Sequence, residues 1–127
     1  MNYLSMKLKI ISILFLTLII GCKKKDVSYD QNTIACGTKN PLENLPWLKN
    51  EFKDIANYPD MNGIVLYEYN GEEVINIYKS YYSSTYGRPF YCDGKQMQFS
   101  SGEDLKNYLQ KRKKIAVLFG EKFDLTP

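Results

Sequence analysis

Apolar and polar positions from Pro41 onward follow two periods. Leu48, Phe52 and Ile55 recur at i, i+4 and i+7, which predicts an amphipathic helix over 46–57. Asn40-Pro41-Leu42-Glu43 carries a cap residue, a proline for the first helical position and a glutamate three after the cap. Pro46 interrupts, so a short turn should precede the helix. Tyr58-Pro59-Asp60-Met61-Asn62-Gly63 is turn chemistry and ends it. The period then falls to two. Gly63 to Tyr69 and Glu72 to Tyr78 flank Asn70-Gly71, the preferred pair for a two-residue hairpin turn. That turn sets Leu66 opposite Ile75 and Ile64 opposite Ile77 on one face, with Tyr69/Glu72, Tyr67/Val74 and Val65/Asn76 on the other. A one-residue slip would mix polar with apolar positions. The chosen register places Glu68 against Glu73, a like-charge pair at the hairpin end.

Tyr78 to Tyr86 should continue as strand or irregular edge, and Gly87-Arg88-Pro89 turns the chain. Phe90-Tyr91-Cys92 and Gln96 to Phe99 suggest a second hairpin about Asp93-Gly94. Ser100-Ser101-Gly102-Glu103 is a capping-box pattern opening a helix through about Arg112, with Leu105, Tyr108 and Leu109 as its apolar stripe. Ile115 to Phe119 is a short continuous apolar run, expected as a buried strand. The sum is a small α+β domain, two helices packed on a mostly antiparallel sheet of four to five strands, over 41–127.

The first forty residues behave differently. Lys7 and Lys9 precede the uncharged run Ile10 to Ile20, which is shorter than the roughly 20 residues a spanning helix needs. The run ends at Gly21-Cys22, followed by Lys23-Lys24-Lys25. This arrangement resembles a bacterial lipobox, in which lipid is attached to the cysteine and the leader is cut before it. Residues 1–21 are then a lipoprotein signal peptide, Cys22 is the lipidation site, and the polar segment 22–40 is a tether. Met6 offers an alternative start to Met1. Membrane attachment through Cys22 places the protein in the cell envelope, facing the periplasm or the exterior. With Cys22 spent on lipid, Cys36 and Cys92 remain as an even pair in an oxidising compartment. A Cys36–Cys92 disulfide would close a loop of about 57 residues and contribute about 4 kcal/mol. Two free thiols are the alternative.

Composition narrows the chemistry. The 127 residues carry 17 basic and 14 acidic side chains. Two of those lysines leave with the leader, so the remainder is near neutral and unsuited to nucleic acid. The run Lys111-Arg112-Lys113-Lys114 reads as the solvated end of a helix, where cations favour the macrodipole. The chain has no histidine. The commonest general base, the usual zinc ligand and every Ser-His-Asp or Cys-His arrangement are thereby excluded. No phosphate-binding, dinucleotide or metalloprotease motif occurs, so a non-enzymatic domain without cofactor or bound metal is expected. Tyrosine is the one compositional excess, with 11 residues. Rings with hydroxyl handles suit contacts with protein or glycan. Tyr67, Tyr69, Tyr78, Tyr81, Tyr82 and Tyr86 form the candidate binding surface, and Trp47 is expected as a core anchor.

Two segments carry a resemblance. Gly21-Cys22-Lys23-Lys24-Lys25-Asp26 is similar to the processed N-terminus of Bacteroidota-type lipoproteins. The stretch from Cys36-Gly37-Thr38-Lys39-Asn40-Pro41 to Trp47-Leu48-Lys49, with the hairpin from Leu66 to Val74, resembles a family of small uncharacterised lipoproteins of that group. The resemblance implies an envelope protein and assigns no activity or binding residue. The leading expectation is a non-enzymatic accessory or binding domain. The alternative is an inhibitor or immunity protein against an envelope-acting hydrolase or toxin. Tyr91-Cys92-Asp93-Gly94-Lys95-Gln96-Met97 faintly resembles a strand of membrane-bound lysozyme inhibitors, although the tryptophan-rich part of that family is missing.

Overall fold

A computed structural model describes Gly21 and residues 29–123. The leader run and Cys22, with its expected lipid, lie outside the described residues. Among the described residues no helix is long and apolar enough to cross a membrane.

The elements follow in the order β1 (Ile34–Ala35), β2 (Thr38–Lys39), α1 (Pro41–Asn44), α2 (Pro46–Ile55), β3 (Gly63–Tyr69), β4 (Glu72–Tyr78), β5 (Arg88–Tyr91), α3 (Gly102–Lys111) and β6 (Lys113–Phe119), closed by a 3₁₀ turn at Glu121–Phe123. β5, β4, β3 and β6 form one antiparallel sheet in that order, and β1 and β2 form a separate two-stranded ribbon. The α+β expectation is met.

Asn70 and Gly71 take φ of 52° and 80°, the left-handed pair that a tight hairpin turn requires. The β3–β4 register has Ile64 opposite Ile77, Leu66 opposite Ile75 and Tyr67 opposite Val74, as alternation demands. Glu68 does face Glu73. The pair is relieved because Glu73 accepts the Cys36 N–H at 2.7 Å, and Glu68 stands opposite Lys113 of β6.

Successive strand residues point to opposite faces, so the hairpin builds two cores. On the first face Ile64, Leu66, Ile75 and Ile77 pack with Leu42, Leu48, Phe52, Ile55 and Ala35. On the second, Val74 packs with Met97 and Tyr108, flanked by Tyr69, Phe99, Leu105 and Leu109. The helices α1 and α2 thus cover one face and α3 the other.

Several expectations change. The tether assigned to 22–40 overlaps the domain: Ala35 is fully buried in the first core, and Tyr29 meets the Phe52 ring edge-on at 5.3 Å. Asn40 has φ of 49° and makes no side-chain cap bond, so the expected capping box there does not form. At α3 the cap is Ser101, whose hydroxyl accepts the Asp104 N–H at 3.2 Å, while Ser100 donates to the Asp104 carboxylate. The cap therefore sits one residue later than Ser100. Of the two alternatives for 78–86 the irregular one holds: β4 stops at Tyr78, and residues 80–86 are turns, a bend and irregular chain. The second hairpin shrinks to a single bridge between Phe90 and Gln96, because the chain then turns Met97 into the second core. β6 is an edge strand with Ile115 half exposed, and only Leu118 and Phe119 are buried in it. Arg112 does not extend into solvent but lies over the Tyr67 ring at 4.2 Å.

Beyond β6, Phe123 stacks on Tyr78 at 4.5 Å and lies against Gly63. A Cβ at Gly63 would overlap the Phe123 ring. Gly63→Ala should therefore destabilise by about 1–3 kcal/mol, as overpacking does. In a Phe123→Ala background the same change should cost under about 1 kcal/mol, since contacting residues are non-additive. Equal costs in both backgrounds, measured by denaturant titration, would refute the contact.

Candidate functional site

Gly87 has φ of 71°, and a Cβ there would meet the Ile77 carbonyl oxygen at 2.7 Å and Asn76 Nδ2 at 2.8 Å. A glycine lets the 80–87 loop lie directly on β4. Asn76 fixes it there. Fully buried between Ile75 and Ile77, Asn76 donates to the Tyr86 carbonyl at 2.7 Å and accepts the Tyr108 hydroxyl at 3.2 Å. One side chain thus ties the loop, the sheet and α3 together, and a buried amide needs both bonds. At the start of the loop, Asn62 accepts the Ser80 N–H at 2.7 Å, and Lys79 pairs with Glu51 at 2.7 Å and Asp54 at 3.2 Å on α2.

Between this loop and residues 96–102 runs a groove of about 430 Å³. Tyr82, Tyr86, Met97, Phe99 and Leu105 supply its apolar surface, while Ser83, Ser84, Gln96, Gln98 and Ser101 supply hydroxyls and amides. Arg88 stands at the lining with its guanidinium 4.0 Å from the centre of the Tyr82 ring. Arg88 is exposed and has no carboxylate partner among the described residues. A cation held on an aromatic face, beside neutral donors and acceptors, is equipped to take an anionic group on a larger polar partner.

The six tyrosines singled out from sequence divide. Tyr82 and Tyr86 line the groove, and Tyr81 is exposed beside Tyr82, edge to face at 5.3 Å. Tyr67, Tyr69 and Tyr78 are correspondingly not part of that surface. Tyr67 is buried and shares a 3.2 Å hydroxyl contact with Tyr78, and Tyr69 meets Tyr108 edge-on at 5.1 Å. Tyr69 and Tyr67 thus meet α3 and its C-cap through Tyr108 and Arg112, whereas Tyr78 is stacked by Phe123. Arg88, Gln96, Gln98, Phe99 and Ser101 were missed, because their spacing carries no motif. Asn76 did leave a signal, a lone amide within Val74-Ile75-Asn76-Ile77. Trp47 is an anchor as expected: its indole N–H donates to the Cys92 carbonyl at 3.0 Å, and its ring tilts on Phe90 at 5.5 Å.

Burial pushes the phenols of Tyr67, Tyr82 and Tyr108 above their ordinary value of 10.0, assisted at Tyr67 by the Tyr78 hydroxyl and opposed at Tyr108 by Arg112. Lys79 is also raised: burial alone would lower it, but bonds to Glu51, Tyr81 and Asp54 outweigh that. Every one of these groups holds its proton more tightly folded than unfolded. Their contribution is complete below about pH 10 and is lost as pH rises through the folded values. The denaturant midpoint should accordingly be flat from neutrality to mild alkalinity and fall beyond it, with phenolate absorbance lagging that of the unfolded chain. A midpoint that rises above pH 10 would contradict this.

The second opening, about 740 Å³, lies over the disulfide. Cys36 and Cys92 are bonded, S–S 2.02 Å and Cα–Cα 5.4 Å, with Glu73, Glu72 and Asp93 around them. Comparison with protein-family models, with curated proteins and with solved structures returned no match to this chain.

Proposed function

We propose that the protein is a lipid-anchored, non-enzymatic binding domain of the cell envelope, of the small Bacteroidota-type lipoprotein kind, and that its recognition surface is the groove between the 80–87 loop and residues 96–102. The observation that carries the reading is Arg88, a cation stacked on Tyr82 with no acidic partner among the described residues and surrounded by amides and hydroxyls. The partner is a protein or glycan that presents an anionic group. Attachment rests on Cys22, which follows an apolar run and Gly21.

Two measurements separate anchoring from recognition. Cys22→Ser should abolish lipid labelling and leave unprocessed precursor; a cleaved, labelled variant would remove the anchor from the proposal. For the groove, crosslinking in native envelopes should give a specific adduct with the wild-type chain. That adduct should weaken at least about tenfold in Arg88→Ala, the order expected for a charge-assisted hydrogen bond of about 1.5–3 kcal/mol. Lys95→Ala, an exposed cation paired with Asp93, should leave it unchanged. Equal losses from both variants would mean that charge, not the groove, is read. A stoichiometric hydrolase or toxin as the adduct would favour the inhibitor alternative over the accessory one.

A further inference from the structure

We propose that, when the disulfide is reduced, Cys36, Cys92 and Glu73 form a binding site for one zinc-like divalent cation, so that the same pair of sulfurs serves either an S–S bond or a metal. The proposal is independent of the Arg88 groove. One ligand atom from each of the three residues lies within 4.8 Å of the others. Two thiolates and a carboxylate are a donor set that zinc accepts, and three protein ligands leave a fourth position for water.

The geometry does not depend on the S–S bond alone. The Cys36 N–H is held by the Glu73 carboxylate at 2.7 Å, and Ala35 beside it is fully buried in the first core. The Cys92 carbonyl is held by the Trp47 indole at 3.0 Å, and the preceding Tyr91 is paired with Val74. Both cysteine backbones are thus fixed by neighbours that reduction leaves intact. Their Cα atoms are 5.4 Å apart. Two zinc–sulfur bonds of roughly 2.3 Å at a tetrahedral angle put the sulfurs about 3.8 Å apart, which side-chain rotation can supply. A carboxylate has two oxygens, so Glu73 can keep the Cys36 N–H and still ligate. The opening over the site is bordered by Glu72 and Asp93, whose charges favour cation entry.

The step balances. A dithiol reductant gives two electrons and two protons to the disulfide, producing two protein thiols and its own disulfide. Binding of the dication then releases the two thiol protons. Reoxidation by a disulfide oxidant, which takes two electrons from the thiolates and two protons from solution and leaves as a dithiol, restores the S–S bond and releases the ion.

The full chain would be reduced with excess dithiol, freed of it without oxygen, and titrated with Zn²⁺ against a chromogenic chelator, with Co²⁺ as a spectroscopic probe of thiolate ligation. Expected are one ion per reduced chain, none for the oxidised chain, loss of binding in Cys92→Ser, and weakening of about tenfold or more in Glu73→Gln, the scale on which disturbed metal sites respond. Far-UV circular dichroism of the reduced, metal-free chain should match the oxidised one. Absence of stoichiometric binding would overturn the proposal. So would equal affinity of Glu73→Gln and wild type, or a reduced chain that unfolds and binds through loose thiols alone.

Discussion

Replacing both Cys36 and Cys92 by serine should lower the free energy of unfolding by about 4 kcal/mol, through the release of loop-closure entropy in the unfolded chain. The bond joins residues 56 apart in sequence. For a small domain whose whole net stability is on the order of 5–15 kcal/mol, this is the largest single contribution from one covalent link. The double substitution is preferable to Cys92→Ser alone, which leaves a thiol open to oxidation. The native fold should survive, because the Trp47–Cys92 and Cys36–Glu73 hydrogen bonds and the buried Ala35 hold the two ends without it. Denaturant titration should therefore show a lower midpoint with a nearly unchanged slope. A loss under about 1 kcal/mol would mean that the unfolded chain is already compact around this loop, and the entropic account would fail.

The bond also explains the least legible part of the chain. Ile34–Ala35 and Thr38–Lys39 are two-residue strands joined by Cys36-Gly37, both with positive φ. Nothing so short has a hydrophobic period, so the segment reads as tether. Its order comes from long-range partners: a sulfur on the Cys92 turn, a carboxylate on β4, and the pocket that takes Ala35. The β3–β4 hairpin was legible for the opposite reason. Its turn and its alternation are local and agree, and each excludes a slipped register. The tyrosines fall between these cases. Alternation placed Tyr67, Tyr69 and Tyr78 on one face, but whether that face meets solvent depends on where α3 docks. Its Leu105, Tyr108 and Leu109 stripe predicted a buried helix face without naming the sheet face beneath. Since α2 fills the first face, α3 took the second, meeting Tyr69 through Tyr108 and Tyr67 through Arg112, while Phe123 stacked on Tyr78. Tyr82 and Tyr86 escaped because Asn76 and Gly87 fold their loop back along β4, a contact that requires both tertiary partners.

Tyr108→Ala should cost about 3–5 kcal/mol, the range for removing a large aromatic from a core. Tyr108 is fully buried, and its ring meets Tyr69 at 5.1 Å and Phe99 at 5.4 Å, with the Arg112 guanidinium 5.2 Å away. Its hydroxyl is the donor to Asn76 Oδ1. Tyr108→Phe separates the two roles. It keeps the ring and leaves the buried Asn76 oxygen without that donor, so about 1–3 kcal/mol should be lost. The difference between the variants is then the packing that fastens α3 to the sheet. Hydrogen exchange should place it: amides of α3 should exchange faster in Tyr108→Ala, while those of β3 follow only the global loss. Phe99 and Leu105 both pack with Tyr108 and line the groove, so the alanine variant should also weaken the envelope crosslink that Arg88→Ala is expected to weaken. Tyr108→Phe should weaken it less, because Gly87 still seats the loop on β4. Equal stability losses for the two substitutions would show that the hydroxyl, and not the ring, fastens the helix, and would move the origin of the groove's order from packing to the Asn76 hydrogen bonds.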